Sequence, residues 1–304
     1  MRAGRGRRDA LHQVAAGEGL APLPLVLIEP VVRAALLEDL GLAGDITSDV
    51  VVPKGARARV QIAARKAGRI AGLDVAATAF RLLDPAVEVR VLKCDGSDVA
   101  AGGVVATVAG DARAILTAER VALNFVCHLS GVATAAAGIV ERLAGTRARL
   151  CCTRKTTPGL RLLEKYAVRA GGGVNHRFRL DDGVLIKDNH IAVAGGVKAA
   201  VERARAGIGH MVKLEVEADD LAQVAEALAV GVDAILLDNM TLDELARAVA
   251  LVDGRALTEA SGRVTAETAP AIAATGVDLI SSGWITHSAP VLDLGLDFDR
   301  LETA

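Results

Sequence analysis

Aromatic side chains make up only 2% of this 304-residue chain, and it carries no excess of basic charge. Lys+Arg is 35 against 37 for Asp+Glu, a formal net charge of −2. Without a basic field or stacking platforms, nucleic acid is not expected as the main partner. The four cysteines, Cys94, Cys127, Cys151 and Cys152, show no CxxC or Cys/His ligand spacing. They read as reduced thiols of a cytosolic, cytoplasmic protein. The first 20 residues, MRAGRGRRDALHQVAAGEGL, lack the apolar run of a secretory signal. A disordered basic tail over 1–24 is expected there.

Charge is also missing from 121–140, VALNFVCHLSGVATAAAGIV. Its polar residues Asn124, His128, Ser130, Gly131 and Thr134, and the lack of a second such segment, argue against a membrane span. A helix buried in a globular protein is expected instead. The 52% apolar content is ample for a large core in one or two domains.

Two patterns divide the chain. Residues 25–45 read as a helix ended by glycine, and GDITSDVVVP as a polar turn into a strand. Alternating strands follow in ARVQIAARKAGRIAG, VEVRVLKCDG and GGVVATVAG, with the helix LDVAATAFRLLD between the first two. This makes an N-terminal α/β domain of α+β type over 25–125. Residues 112–143 are helical in pattern, with a break expected at Ser130-Gly131. Strand and helix then alternate through RARLCCTRKT, PGLRLLEKYAVRAGGG, VLIKDNH, GGVKAAVERARAG, MVKLEVE and ADDLAQVAEALAVG. They continue through DAILLDN, TLDELARAVALVDG, ALTEASG, TAETAPAIAATG and DLISSGW. The polar residues ending the last four strands, Glu217, Asp238, Ser261 and Ser282, are 21, 23 and 21 residues apart. A repeated βα unit of that length predicts a parallel α/β barrel over 126–285. A doubly wound sheet is the competing architecture, and it too places a site at strand C-termini.

The strand ends are lopsided in charge. Cations come first: Arg154 and Lys155, His176 and Arg177, then Lys187. Arg pairs bidentately with carboxylate or phosphate, and Lys adds a compact charge. Several in one pocket imply a substrate with more than one negative charge, unless they pair structurally with Asp181, Asp182 or Asp188. Glu217 and Asp238 follow apolar strand residues and need partners. They can hold a divalent metal or accept from sugar hydroxyls. Their alternative is helix capping, for which Asp219 or Asp220 and Thr241 are better placed. ASG (260–262) and SSG (281–283), each expected beside a helix start, expose N–H groups suited to phosphate.

These residues lie in longer strings: EDLGLAGDITSD, LTAERVALNFVCHLSGVAT, CTRKTTPGLRLLEKYAVRAGGGVNHRFRLDDGVLIKDNHI, KLEVE, ILLDNM, TEASG and GVDLISSGWITHSAPVLDLGLDF. On them the chain resembles the nicotinate-nucleotide pyrophosphorylase (carboxylating), or quinolinate phosphoribosyltransferase, family from about residue 30 to residue 298. The resemblance implies an N-terminal α/β domain, an incomplete, seven-stranded-type parallel α/β barrel, and a tail over 286–304 returning to the first domain. It also implies the reaction of quinolinate with phosphoribosyl pyrophosphate (PRPP), with Mg2+ as cofactor, to give nicotinate mononucleotide, carbon dioxide and pyrophosphate.

Carried over by position, Arg154, Arg177 and Lys187 would hold the quinolinate carboxylates, with Thr153 and His176 alongside. Arg120 would be donated across the interface of a homodimer or higher oligomer. Lys155 would contact the pyrophosphate, and with Glu217 and Asp238 would form the catalytic set. Glu217 and Asp238 would bind ribose hydroxyls or Mg2+, directly or indirectly. Ser261-Gly262 and Ser282-Gly283 would cradle the 5′-phosphate. Two positions depart from the family pattern: Arg263 and Trp284 follow these turns where a small residue, or Asn at the first, is usual. Three rivals are weighed. A ModD-like relative shares TRKT but not IKDNH. A Schiff-base aldolase would use Lys187 or Lys213. A non-catalytic metabolite-binding barrel would hold quinolinate without releasing pyrophosphate.

Overall fold

The structure is a computed structural model, and it describes residues 20–302. Most of the expected basic tail, residues 1–19, lies outside the described residues. The chain forms two compact units. One contains residues 20–137, 157–172 and 288–302. The other contains Gly138–Thr156 and Gly173–His287.

The first unit begins with helices α1 (Leu25–Leu40) and α2 (Ile46–Val51). The segment read as a turn into a strand is thus helical at 46–51. Its start is fixed by Asp45, whose carboxylate accepts from the Ser48 N–H (2.9 Å) and the Ser48 hydroxyl (2.5 Å). Those bonds hold the Asp45 pKa below the usual carboxylate value. Then come β1 (Arg57–Ala64), β2 (Gly68–Arg69), α3 (Leu73–Leu83), β3 (Glu88–Val91), β4 (Asp98–Val99) and β5 (Val104–Asp111). The sheet is antiparallel, and its β1 pairs along its whole length with the C-terminal strand Leu294–Glu302. Ala58, Val60 and Ile62 of β1 are buried while Arg57 and Arg59 are exposed and Gln61 is half-buried, giving the alternation of a one-sided sheet up to Ile62.

Helix α4 (Ala112–Arg142) is continuous. The break expected at Ser130-Gly131 does not occur. Ser130 Oγ accepts from the Ala71 N–H (3.0 Å) and lies 3.2 Å from the Ala71 carbonyl, so its polarity is satisfied outside the helix. Gly131 is there for close approach, because a Cβ would lie 2.2 Å from the Pro290 carbonyl oxygen and 2.8 Å from Val291 Cα. Helix propensity alone would make Gly131→Ala stabilising by about 1 kcal/mol. The clash is with backbone on both counts, so it decides the sign. Gly131→Ala is expected to destabilise by about 3 kcal/mol, read as a lower urea midpoint.

Among the described residues, α4 is the one helix long and apolar enough to cross a membrane. Its apolar stripe Ala118, Ala122, Val126, Leu129, Ala133 and Ala136 is fully buried in this unit, at the spacing of a core-facing helix. Helix α5 (Arg161–Ala170) also groups with this unit. Tyr166 donates to Asp95 (2.8 Å), whose pKa burial pushes up.

The second unit carries the strands that the site needs. They are β6 (Arg149–Cys151), β7 (Val184–Ile186), β8 (Leu214–Ala218), β9 (Ala234–Asp238), β10 (Leu257–Ser261) and β11 (Leu279–Ser281). All are parallel, in the order β6-β11-β10-β9-β8-β7. Val174 adds a seventh parallel segment beside β6, its N–H donating to the Leu150 carbonyl (2.8 Å). From β7 to β11 chain neighbours are spatial neighbours, and β11 then pairs with β6 to bring the end of the series back to its beginning, which excludes the doubly wound sheet. No strand pairing joins Val174 to β7 among the described residues, so the barrel is incomplete.

Helices α6 (Asp188–Ala194), α7 (Val197–Gly207), α8 (Leu221–Val230), α9 (Leu242–Val252), α10 (Ala269–Ala274) and α11 (Trp284–His287) complete this unit. Asp220 and Thr241 cap α8 and α9, accepting from the N–H groups of Gln223 (2.8 Å) and Glu244 (3.3 Å). That leaves Glu217 and Asp238 out of capping. Two expectations are corrected. The strand in VLIKDNH ends at Ile186, because the Lys187 N–H donates to His190 Nδ1 (3.0 Å) and starts α6. The Ser261-Gly262 turn is not beside a helix start: six residues separate it from α10, with Thr265 and Thr268 bonding each other's backbone in between.

Candidate active site

A cavity of about 660 Å3 opens at the C-terminal ends of the barrel strands. Every expected site residue except Arg120 lines it: Thr153, Arg154, Lys155, His176, Arg177, Lys187, Glu217, Asp238, Ser261, Gly262, Arg263, Ser282, Gly283 and Trp284. Arg120 lies in the other unit, exposed on α4. The reason for the convergence is topological. A parallel strand followed by a helix delivers its last residue to one face, whatever the sequence distance between strands.

Lys155 is anchored through its backbone. Its N–H donates to Thr153 Oγ1 (3.0 Å), and its carbonyl accepts from Thr286 Oγ1 (2.7 Å). Arg177 spans the open edge of the barrel, with Nη1 donating to the Gly183 carbonyl (2.8 Å) just before β7. His176 Nδ1 accepts the Arg177 N–H (2.8 Å), so the imidazole proton is on Nε2. That proton points at Glu215 Oε2 (2.7 Å). Asp182 accepts from the N–H groups of Phe178 (2.6 Å) and Arg179 (2.9 Å). Lys187 pairs with Glu217, not with Asp181, Asp182 or Asp188, and so joins the cationic and acidic halves of the cavity.

Five cationic side chains line the cavity against three carboxylates, Glu217, Asp238 and Glu259. Burial, and then the neighbouring Arg154 charge, lower the Arg177 pKa from its ordinary value. Two guanidiniums held together at such a cost favour an anion between them. Their Nε atoms are buried and meet no hydrogen-bond partner among the described residues. A carboxylate in the cavity would offset the repulsion between the two guanidiniums.

At the acidic end, Asp238 accepts from Asn239 Nδ2 (2.6 Å). Glu217 and Asp238 offer hard carboxylate oxygens on adjacent strands, a donor set that suits Mg2+. Gly262 sits at φ +107, where a Cβ would lie 2.3 Å from Asn239 Oδ1. Ser282 is buried, and its N–H donates to the Cys151 carbonyl (3.0 Å). Lys213, the alternative amine for a Schiff base, pairs with Asp233 (2.7 Å) just before β8. It stands at the opposite end of that strand from Glu217.

Sequence reasoning missed Glu215, Glu259 and Asn239. The signal for the first two was present. Strand side chains repeat every second residue on one face, so Glu215 lies below Glu217 and Glu259 below Ser261. Both carboxylates are almost fully buried. His176, Arg177 and Glu259 also line a second cavity of about 290 Å3, which Glu215 and Lys213 reach from the other end of the barrel. They form the floor between the two spaces.

Comparison with known proteins agrees with this picture along the chain. The profile described as "Quinolinate phosphoribosyl transferase, N-terminal domain" matches residues 45–130, and that of the C-terminal domain matches 132–297. The probable nicotinate-nucleotide pyrophosphorylase [carboxylating] of Bacillus subtilis is 45% identical over 261 residues, covering 86% of this chain and 90% of that protein. The nicotinate-nucleotide pyrophosphorylase [carboxylating] of Mycobacterium leprae is 45% identical over 274 residues, covering 88% and 95%. The crystal structure of NadC from Streptococcus pyogenes superposes with a TM-score of 0.88 at 42% identity, covering 92% of this chain and all of that one. Both domains matched in sequence, and a solved relative matched over nearly the whole length, the chain belongs to the quinolinate phosphoribosyltransferase family.

Proposed function

We propose that this chain transfers the phosphoribosyl group of PRPP to the ring nitrogen of quinolinate, with loss of the 2-carboxylate as carbon dioxide, in NAD biosynthesis. The observation that carries the reading is the Arg154–Arg177 pair, two cations lining one cavity beside Lys187, with the Arg177 guanidinium kept there against burial and the repulsion of Arg154. Lys187 is the third cation for that dianion, with Thr153 and His176 beside it. Lys155 meets the departing pyrophosphate. Ser261-Gly262 and Ser282-Gly283, with Arg263 and Trp284 at their rims, receive the 5′-phosphate; the Ser282 N–H is held by the Cys151 carbonyl and is not one of the donors.

The chemistry follows from the charges. As the C1–O bond to pyrophosphate breaks, positive charge grows on the ribose and negative charge on the leaving oxygen. Glu217 and Asp238 stabilise the first, and Lys155 the second. The ring nitrogen's lone pair then forms the C1–N bond. In the resulting pyridinium, the pair from the C2–carboxylate bond stays on C2 as carbon dioxide leaves, and C2 takes a proton. Glu217 and Asp238 would also hold Mg2+, which when bound neutralises diphosphate charge. Arg120, exposed on α4, is proposed to complete the dicarboxylate pocket of a neighbouring subunit in a homodimer or larger assembly. The cytoplasm is the proposed location, in keeping with four free cysteines.

The test is direct. Purified protein with quinolinate, PRPP and Mg2+ should release carbon dioxide and form nicotinate mononucleotide in equal amounts. Binding of quinolinate with no pyrophosphate released would instead identify a metabolite-binding barrel.

A further inference from the structure

We infer that Asn239 is a positioning residue that locks the Asp238 carboxylate to the Ser261-Gly262 turn, so that the two ends of a sugar phosphate are read as one rigid unit. The inference rests on the proposed PRPP reading and deepens it. Asn239 follows β9 in the left-handed region, at φ +52. It makes contacts in both directions from there. Its Nδ2 donates to Asp238 Oδ2 at 2.6 Å. Its backbone N–H donates to the Ser261 carbonyl at 2.9 Å. Its amide oxygen lies against the bare face of Gly262, 2.3 Å from where a Cβ would stand.

Only a short amide satisfies all of this. Asp at 239 would set a second anion 2.6 Å from Asp238 and supply no donor in its ionised form. Ser is too short to reach across Gly262. Asn is also the side chain, after Gly, that tolerates left-handed backbone at least cost. The consequence is mechanical. The furanose ring and the short C5′–O5′ arm that carries the phosphate confine the distance between the hydroxyls and the 5′-phosphate to a narrow range. A carboxylate and a phosphate turn that shared no link could each relax separately, and the ring would then fit neither well. Asn239 removes that freedom before the ligand arrives, which is preorganisation.

Three variants and two probes test the assignment by calorimetric titration with Mg2+ present. The probes are PRPP and ribose 5-phosphate, with quinolinate as control. Asn239→Gly keeps the left-handed backbone and deletes the amide. It is expected to bind both sugar phosphates about tenfold more weakly, the size of losing one hydrogen bond to a charged group. Its quinolinate affinity should stay within about twofold and its melting temperature should not fall, since the strain at φ +52 is relieved. Asn239→Ala should lose the same affinity and some stability. Asn239→Asp should lose at least as much affinity as the Gly variant through carboxylate repulsion. A merely structural residue would show the reverse pattern, a lower melting temperature with unchanged affinity.

Wild-type affinity for ribose 5-phosphate in Asn239→Gly would overturn the inference, as would an equal loss for quinolinate. A wild-type protein that binds ribose 5-phosphate but not PRPP would overturn the functional reading alone. In that case a loss in Asn239→Gly would still uphold the positioning role. A wild-type protein that binds neither would overturn both.

Discussion

Arg177→Ala is expected to lower kcat/KM for quinolinate by about a thousandfold while leaving PRPP affinity within a few-fold. The magnitude is that of removing one partner from a desolvated, bidentate charge pair. The effect should fall on quinolinate because Arg177 stands beside Arg154, and the two cations together answer the charge of a dicarboxylate. Stability should hold or rise, for two reasons. Arg177 pays a burial cost and repels Arg154, and both disappear with it. The backbone of 176–177 keeps its bond from the Arg177 N–H to His176 Nδ1. Arg177→Lys separates charge from shape. A lysine cannot hold the Gly183 carbonyl and present a planar fork at once. It should recover only part of the loss, leaving a deficit of about a hundredfold. Steady-state kinetics with quinolinate varied at saturating PRPP, alongside melting curves, measure both. Full activity in Arg177→Ala would remove the dicarboxylate from this end of the cavity. A quinolinate KM insensitive to ionic strength would weaken the charge argument in the same way.

The reach of the sequence is visible in particular residues. The βα period carried Glu217, Asp238, Ser261 and Ser282 to one mouth because strand-end convergence is a property of topology, needing no side-chain detail. The capping argument at Asp220 and Thr241 worked for a similar reason: an N-cap bond is local, made within three residues. Failures arose where a distant partner decides. Ser130-Gly131 looked like a helix break because its partners, Ala71 and the Pro290–Val291 backbone, lie some 60 and 160 residues away. Lys187 seemed a strand residue until His190 took its N–H. Asn239 carries no sequence signal of its own, because its meaning depends on Gly262, just past the next strand. The floor carboxylates Glu215 and Glu259 were legible from the period of two, yet reading only strand ends passed over them. Arg120 shows the limit in another way. Its spacing marks a helix-surface residue, and one chain's structure leaves it exposed; only the family pattern singles it out.

Lys155→Ala should give the second large effect, a fall in kcat of roughly a thousandfold with little change in quinolinate affinity. The reasoning starts from where charge moves. In the ground state the diphosphate charge is spread over several oxygens. As the C1–O bond lengthens, negative charge builds on one bridging oxygen, and a cation already in place costs no reorganisation at that moment. The loop holds Lys155 in that readiness. Thr153 Oγ1 takes its N–H, and Thr286 Oγ1 gives to its carbonyl, so the backbone is pinned from β6 on one side and from the segment after β11 on the other. The ammonium therefore contributes more to the transition state than to binding, and the variant should lose kcat more than it raises the KM for PRPP. Lys155→Arg keeps the charge but spreads it over a broader group, and should recover about one of the three lost orders of magnitude. Single-turnover measurement of pyrophosphate release isolates the step. A Lys155→Ala enzyme within about tenfold of wild type would assign the leaving group to another cation of the cavity, and exposed Arg263, beside Gly262, would then be the residue to replace.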